Sequence, residues 1–194
     1  MKLRGMDYKV IDDYFPEWIV KSMSAYFETF PVSWSNSSRE TYKEGGRFFG
    51  NMCIQHEEWT IPEDLRIWFF QYLNGCVMND LLKGQVTNVN RVLVNGQVKG
   101  QDGVNHKDCD SKDEGYKTLI YHAHGHEGDT VIGVDRVPFK EGRIVIFDSY
   151  ETHRGEAPKD NSYRVSLGCI YQYVKENDMT VKDCLLYTSE AADE

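Results

Sequence analysis

With 194 residues, the chain is long enough for one domain to bury a core without disulfide staples. Its 31 acidic against 22 basic residues give a net charge of −9, which repels a phosphate backbone and makes duplex nucleic acid a poor partner. There is no apolar run near the roughly 20 residues that cross a bilayer, "MKLRGMDYKV" lacks a signal-peptide core, and the five cysteines include no Cys-x-x-Cys pair, so the expectation is a cytoplasmic protein with no membrane contact, no disulfide framework and no zinc ribbon.

In chain order, "VIDDYFPEWIVKSMSAYFETF" opens like a strand. It then offers Asp12 and Asp13 as caps and sets Ile19, Met23, Tyr26 and Phe27 at helical spacing, which predicts a helix. "RETYKEGGRFFGNMC" mixes glycine with aromatics and reads as loop or short strand. "PEDLRIWFFQYLNGCVMNDLL" has Pro62 at a helix start and a continuous apolar face, and predicts a second helix. Its aromatics Trp68, Phe69, Phe70 and Tyr72 read as helix-to-sheet core, and His56 before it as surface. From Gly84 the texture changes: "TNVNRVLVNG", "KTLIYHAH", "DTVIGVDRV", "GRIVIFDS" and "YRVSLGCIYQYV" are short β-branched runs between glycine and polar clusters.

These elements predict one mainly β domain over residues 1–183, with helical support in 1–83 and a β core in 84–176, the helices packed on a sheet sandwich or barrel. The tail 184–194, "CLLYTSEAADE", shares no periodicity with the rest. It resembles the in-frame translation of a transposon-type sequencing adapter, which implies an environmental source and a natural C-terminus lost near Asp183.

In "VNHKDCD", His106 and Asp108 stand two apart, so on an extended strand they point the same way and can grip one ion. A third ligand candidate, His153 in "YETHRGEAP", follows the apolar strand "RIVIFDS" and could return across a barrel to that pair. In "SYRVSLG", Arg164 and Ser166 share one strand face while Val165 and Leu167 take the other, leaving an arginine and a hydroxyl aimed at the interior. A buried guanidinium needs an anion, either an acidic strand neighbour or a ligand carboxylate.

The order His-x-Asp, distal His, then Arg-x-Ser resembles the 2-oxoglutarate and iron(II)-dependent oxygenases, in particular the prolyl-4-hydroxylase-like branch with its small phage and bacterial members. "NGQVKGQDGVNHKD" is similar to the family's glycine-rich approach to the metal, "EGDT" to its Gly-Gly-Glu-Thr turn, and "VPFKEGRIVIFDSYETHRG" to its penultimate strand and turn. The likeness covers most of residues 9–173. It implies a double-stranded β-helix, or jelly roll, with N-terminal helices on the major sheet. It also implies iron(II) held by His106, Asp108 and His153, an arrangement that leaves three coordination positions open. By the same resemblance, Arg164 and Ser166 bind 2-oxoglutarate. Dioxygen is the oxidant and ascorbate a supporting reductant. Thr118, Ile120 and His122 share a face of the strand that lines 2-oxoglutarate in the family. His122 stands where relatives carry a tyrosine and could donate to a carboxylate, and Asn95 falls near another co-substrate contact.

The implied reaction is hydroxylation of an unactivated C–H bond, in a prolyl or other peptidyl side chain or an amino-acid-like substrate, with a nucleobase or small metabolite as the alternative. A nucleotide substrate would need basic residues such as Lys83, Arg91, Lys99 and Lys107 gathered at the mouth. A rival site lies in "HAHGHEGD": on a straight strand His122, His124 and His126 would share a face and could hold zinc for a hydrolase or isomerase. A catalytically silent jelly-roll binding module is the third reading.

Overall fold

The computed structural model describes residues 8–29, 33–37, 47–55, 58–59, 73, 84–112 and 115–175. The second predicted helix lies outside them except for Leu73, which is helical and fully buried. His56, the aromatics at 68–72, Lys83 and the tail 184–194 also lie outside.

A first strand, β1 (Tyr8–Ile11), leads into the expected helix, α1 (Glu17–Glu28). The helix begins not at the aspartates but at Pro16, whose carbonyl accepts the Ile19 and Val20 N–H groups at 2.9 and 3.2 Å. Proline suits a helix start because the N–H it lacks would be unpaired there anyway. Asp12 and Asp13 instead tie the β1–α1 corner to the barrel, since Asp12 takes both arms of Arg143 at 2.8 Å and Asp13 takes Lys140 at 3.0 Å.

The strands continue as β2 (Ser33–Ser37), β3 (Arg47–Gln55), β4 (Glu58–Trp59), β5 (Gly84–Val98), β6 (Tyr116–His124), β7 (Thr130–Ile132), β8 (Asp135–Val137), β9 (Ile144–Asp148), β10 (His153–Gly155) and β11 (Tyr163–Lys175). The major sheet runs β1-β9-β6-β11-β5-β3-β2 with β4 on β3, and every pairing is antiparallel. Residues before 84, expected to be helical support, thus also supply strands to this sheet. The minor sheet runs β10-β7-β8 and is widened by the segment before β6. There Gly103 N–H donates to Gly155 O at 2.8 Å, and His106 and His153 exchange backbone hydrogen bonds at 3.0 and 2.9 Å.

Alternation sorts the major sheet into two faces. Val92, Val94, Leu119, Tyr121, Val165 and Leu167 face outward into a core with Phe27, Met23 and Tyr26 of α1. The opposite face meets the minor sheet through Val145 and Phe147 packed on Ile132 and Val137. Burying each such side chain contributes about 1.5–3 kcal/mol. A one-residue slip of β11 would turn Val165 and Leu167 into the barrel and press Arg164 against the helix, so the apolar pattern fixes the register. The result is a double-stranded β-helix with the helix on its major sheet, as expected.

Candidate active site

His106, Asp108 and His153 converge on one point, their ligand atoms all lying within 4.8 Å of one another. The backbone exchange between His106 and His153 places the two imidazoles side by side, with ring centroids 4.3 Å apart. Each ring is oriented by its far nitrogen: Nδ1–H of His106 donates to Val104 O at 2.9 Å and Nδ1–H of His153 to Glu151 O at 3.0 Å. Both Nε2 atoms are thereby turned toward Asp108. They stand 3.9 and 3.3 Å from its carboxylate, whose side chain is 4% exposed. Two imidazole nitrogens and a carboxylate converging on one point are a donor set that fits a divalent metal.

The site's electrostatics point the same way. Burial, with the neighbouring His153, pushes the His106 imidazole below its ordinary value, favouring the neutral ligand form. Burial alone would raise Asp108, but its hydrogen bond with His153 and the charges of His153, Arg91 and His106 outweigh it and hold the carboxyl well below the usual range. Two further donors grip the carboxylate. Arg91 Nη2 donates to Oδ1 at 2.6 Å, and the Thr118 hydroxyl donates to Oδ2 at 2.8 Å. Thr118 also meets the Ser149 hydroxyl at 2.8 Å, and having given its own proton to Asp108 it accepts the one from Ser149. Thr118, expected to line a co-substrate, is thus turned to the metal side of the cavity.

Arg164 projects from β11 into the same interior and is 2% exposed. Its partners are neutral: Nη1 donates to Gln97 Oε1 and Nη2 to Thr130 Oγ1, while Nε has no hydrogen-bond partner among the described residues. The nearest acids, Asp129 and Glu156, are both engaged by Arg136, so the structural ion pair that could have explained a buried arginine is absent among the described residues. Burial depresses the guanidinium to about 10. Glycine makes room for it. At Gly128, with φ +95°, a Cβ would sit 2.7 Å from Arg164 Cδ and 2.4 Å from Glu156 O. A buried cation without a counter-ion fits an anionic ligand that arrives from outside. Ser166, two residues on, is also buried on this face, and Asn95 lies opposite it in the β5–β11 register.

His122 is fully buried, stacked on Phe139 with centroids 4.4 Å apart. Burial and the charges of Arg164 and Arg143 keep it neutral, well below the ordinary imidazole value. Its Nδ1 accepts the Lys140 N–H at 3.2 Å, so its single N–H, on Nε2, donates to Thr130 Oγ1 at 3.0 Å. The expectation that His122 itself donates to a ligand carboxylate therefore gives way, because its proton is already used and Thr130 carries the free hydroxyl hydrogen. The rival zinc cluster is overturned as well. One extra residue of β6 opposite Val165/Ser166 breaks the alternation after His122, and the chain turns at Gly125 with φ +119°. His124 meets Ser24 of α1 at 2.9 Å and His126 pairs with Asp160 at the surface, so the three rings have separate surroundings. Among the described residues, His106, Asp108 and His153 are the single cluster able to hold a metal.

Arg91, Gln97, Thr130 and Ser149 were not expected at the site. In "RVLVNGQV", Arg91, Asn95 and Gln97 share the odd-numbered face with Leu93, opposite Val92 and Val94, a partial alternation from which Arg91 and Gln97 could have been found. Of the basic residues considered for a nucleotide, Arg91 is paired with Asp108, Lys107 lies over the Tyr150 ring at 3.5 Å, and Lys99 is exposed beyond the end of β5.

No family model and no curated protein matches this sequence. Solved structures do. An oxidoreductase of the 2OG-Fe(II) oxygenase family from Burkholderia pseudomallei aligns with TM-score 0.66 and 13% identity over 85% of this chain and 84% of its own. A non-heme α-ketoglutarate-dependent carbocyclase of nogalamycin biosynthesis aligns with TM-score 0.61 and 14% identity over 95% and 87%. A prolyl-4-hydroxylase from Pseudomonas putida aligns with TM-score 0.59 and 14% identity over 86% and 92%. The chain thus has the jelly-roll fold of the 2-oxoglutarate and iron(II)-dependent oxygenases, and its structural neighbours include prolyl hydroxylases. No described helix is long and apolar enough to cross a membrane.

Proposed function

We propose that this chain is an iron(II)- and 2-oxoglutarate-dependent dioxygenase that hydroxylates an unactivated C–H bond, in a prolyl or other peptidyl side chain or an amino-acid-like substrate. One observation carries the reading: a cluster of two imidazoles and a carboxylate shares a barrel interior with a buried guanidinium that has no ion-pair partner among the described residues. His106, Asp108 and His153 would hold the metal. Arg164 would receive the outer carboxylate of 2-oxoglutarate, with Thr130 and Ser166 adding hydroxyl donors and Asn95 near by. When bound, the metal and its co-substrate supply the oxidation, in which dioxygen, 2-oxoglutarate and R–H become succinate, carbon dioxide and R–OH. The chain's own groups orient and exclude: Val104 O and Glu151 O fix the imidazole tautomers, Thr118 fixes Asp108, and the apolar inner side chains Ile120, Val145 and Phe147 limit water.

The prolyl hydroxylases among the neighbours, one of them in complex with a peptide fragment of hypoxia inducible factor, support a peptidyl substrate. A small metabolite is the second reading, favoured by the neighbouring carbocyclase and epimerase of nogalamycin biosynthesis. The test is anaerobic titration of iron(II) with 2-oxoglutarate, followed by the metal-to-ligand charge-transfer band. The band should form in the wild type, vanish in His106→Ala and weaken in Arg164→Ala. A wild type that binds iron(II) without any 2-oxoglutarate-dependent band would overturn the reading.

A further inference from the structure

We infer that Arg91 is a positioning residue that keeps Asp108 a one-oxygen ligand and so holds open the coordination position a two-oxygen grip would close. The inference rests on the oxygenase reading and concerns how this chain prepares its metal site. Arg91 lies on the inner face of β5, and its side chain donates to Asp108 Oδ1 at 2.6 Å. Thr118 holds the other oxygen at 2.8 Å from the opposite side. Each oxygen has two lone pairs, and a flanking donor occupies one on each. Each oxygen faces one imidazole: Oδ1 stands 3.9 Å from His106 Nε2, and Oδ2 stands 3.3 Å from His153 Nε2. The charged donor sits on the oxygen with the longer imidazole approach, and the neutral donor sits on the one with the shorter. A guanidinium at 2.6 Å competes with a metal for Oδ1 more strongly than a hydroxyl at 2.8 Å competes for Oδ2, which leaves Oδ2 as the ligand.

The demand for this control comes from counting positions. Three protein atoms on an octahedral metal leave three places, which a two-toothed co-substrate and dioxygen fill completely. A carboxylate free to bind through both oxygens removes one. The arrangement also differs from a mere structural ion pair in its exposure: the Arg91 side chain is 35% exposed while Asp108 is 4% exposed, so the arginine could have stayed in water and instead reaches inward to one buried oxygen.

The test compares wild type, Arg91→Lys and Arg91→Gln, first by cobalt(II) titration in the absence of turnover. Affinity is read from the visible d–d bands and coordination number from their intensity. Iron(II) and 2-oxoglutarate are then added without oxygen, and the thermal midpoint of each metal-free protein is recorded beside them. In Arg91→Gln the 2-oxoglutarate affinity of the metal-loaded protein should fall by about 10–100-fold, the usual reach of a group that orients a metal ligand. The cobalt bands should weaken toward higher coordination, and Arg91→Lys, which keeps a cationic donor, should stay near wild type. If both variants match wild type in cobalt spectrum and 2-oxoglutarate affinity, Arg91 has no positioning role. A loss confined to the metal-free thermal midpoint, with spectra unchanged, also overturns the inference. A wild type that shows no 2-oxoglutarate-dependent band fails the oxygenase reading itself, a result distinct from either.

Discussion

His122 and Thr130 are bonded in a single direction: imidazole Nε2–H gives to hydroxyl Oγ1 at 3.0 Å, because the other ring nitrogen is occupied by the Lys140 N–H. The consequence is that Thr130, also within 3.4 Å of Arg164 Nη2, must aim its own hydrogen at something else inside the barrel. An anionic ligand on Arg164 is the natural acceptor.

Removing that donor has a definite cost. Thr130→Val should weaken 2-oxoglutarate binding by about 10–100-fold, the range for losing one hydrogen bond to a charged group. Metal affinity should be untouched. Parallel titrations of metal and co-substrate separate the two, and a variant that loses metal binding instead would place Thr130 on the wrong side of the cavity.

Arg164→Met should weaken 2-oxoglutarate binding by roughly 30-fold or more, as expected when one member of a buried charged pair is truncated. The same change removes a buried cation with no counter-ion in the empty protein, so thermal stability without ligand should hold or rise, by up to about 4 kcal/mol. Denaturation curves with and without 2-oxoglutarate test both halves. A ligand-free Arg164→Met that is much less stable would mean that Gln97 and Thr130 already satisfy the guanidinium.

Gly128→Ala should damage the same pocket from behind. With φ at +95° and a new methyl 2.7 Å from Arg164 Cδ, either the turn or the arginine must shift. The expected cost is about 1–3 kcal/mol of stability together with weaker co-substrate binding. Differential scanning calorimetry beside the charge-transfer titration checks it, and wild-type behaviour in both would show that the turn yields freely.

Acid should destabilise the metal-free protein well above the carboxylate range. His122 and His106 both have folded proton affinities pushed below the ordinary imidazole value of 6.5, chiefly by burial. The unfolded chain therefore takes up protons first as pH falls, so stability is full above 6.5 and is lost progressively below it, toward the lower folded values. Chemical denaturation from about pH 7.5 to about pH 5.5 should show this slope, and His122→Asn should flatten it. An unchanged slope in that variant would assign the protons elsewhere.

The architecture was legible where alternation was strict. Val165 and Leu167 are apolar between Arg164 and Ser166, and β11 folds with that pattern facing outward on α1 and inward on the site. The triad was legible because His-x-Asp on an extended segment and a histidine after an apolar strand are local signals that the barrel then joins. What escaped was set by register across strands. One extra residue in β6 separates His124 from His122, and no periodicity in "HAHGHEGD" announces it. Thr130 was missed for a similar reason: it acts on side chains of two other strands, His122 and Arg164, a relationship fixed by the fold and not by spacing. Asp12 and Asp13 looked like caps because acids before a helix usually are, yet Arg143 and Lys140, over a hundred residues later, claim them.

The reciprocal backbone bonds between His106 and His153 make the site's formation a folding event. Their amide hydrogens at 3.0 and 2.9 Å close the seam between the segment before β6 and β10. A metal bridging the same two side chains would staple that seam, coupling its opening to metal release. The two amides should therefore be among those whose solvent exchange slows most on metal loading, so that two backbone positions report occupancy of the centre without any chromophore or turnover.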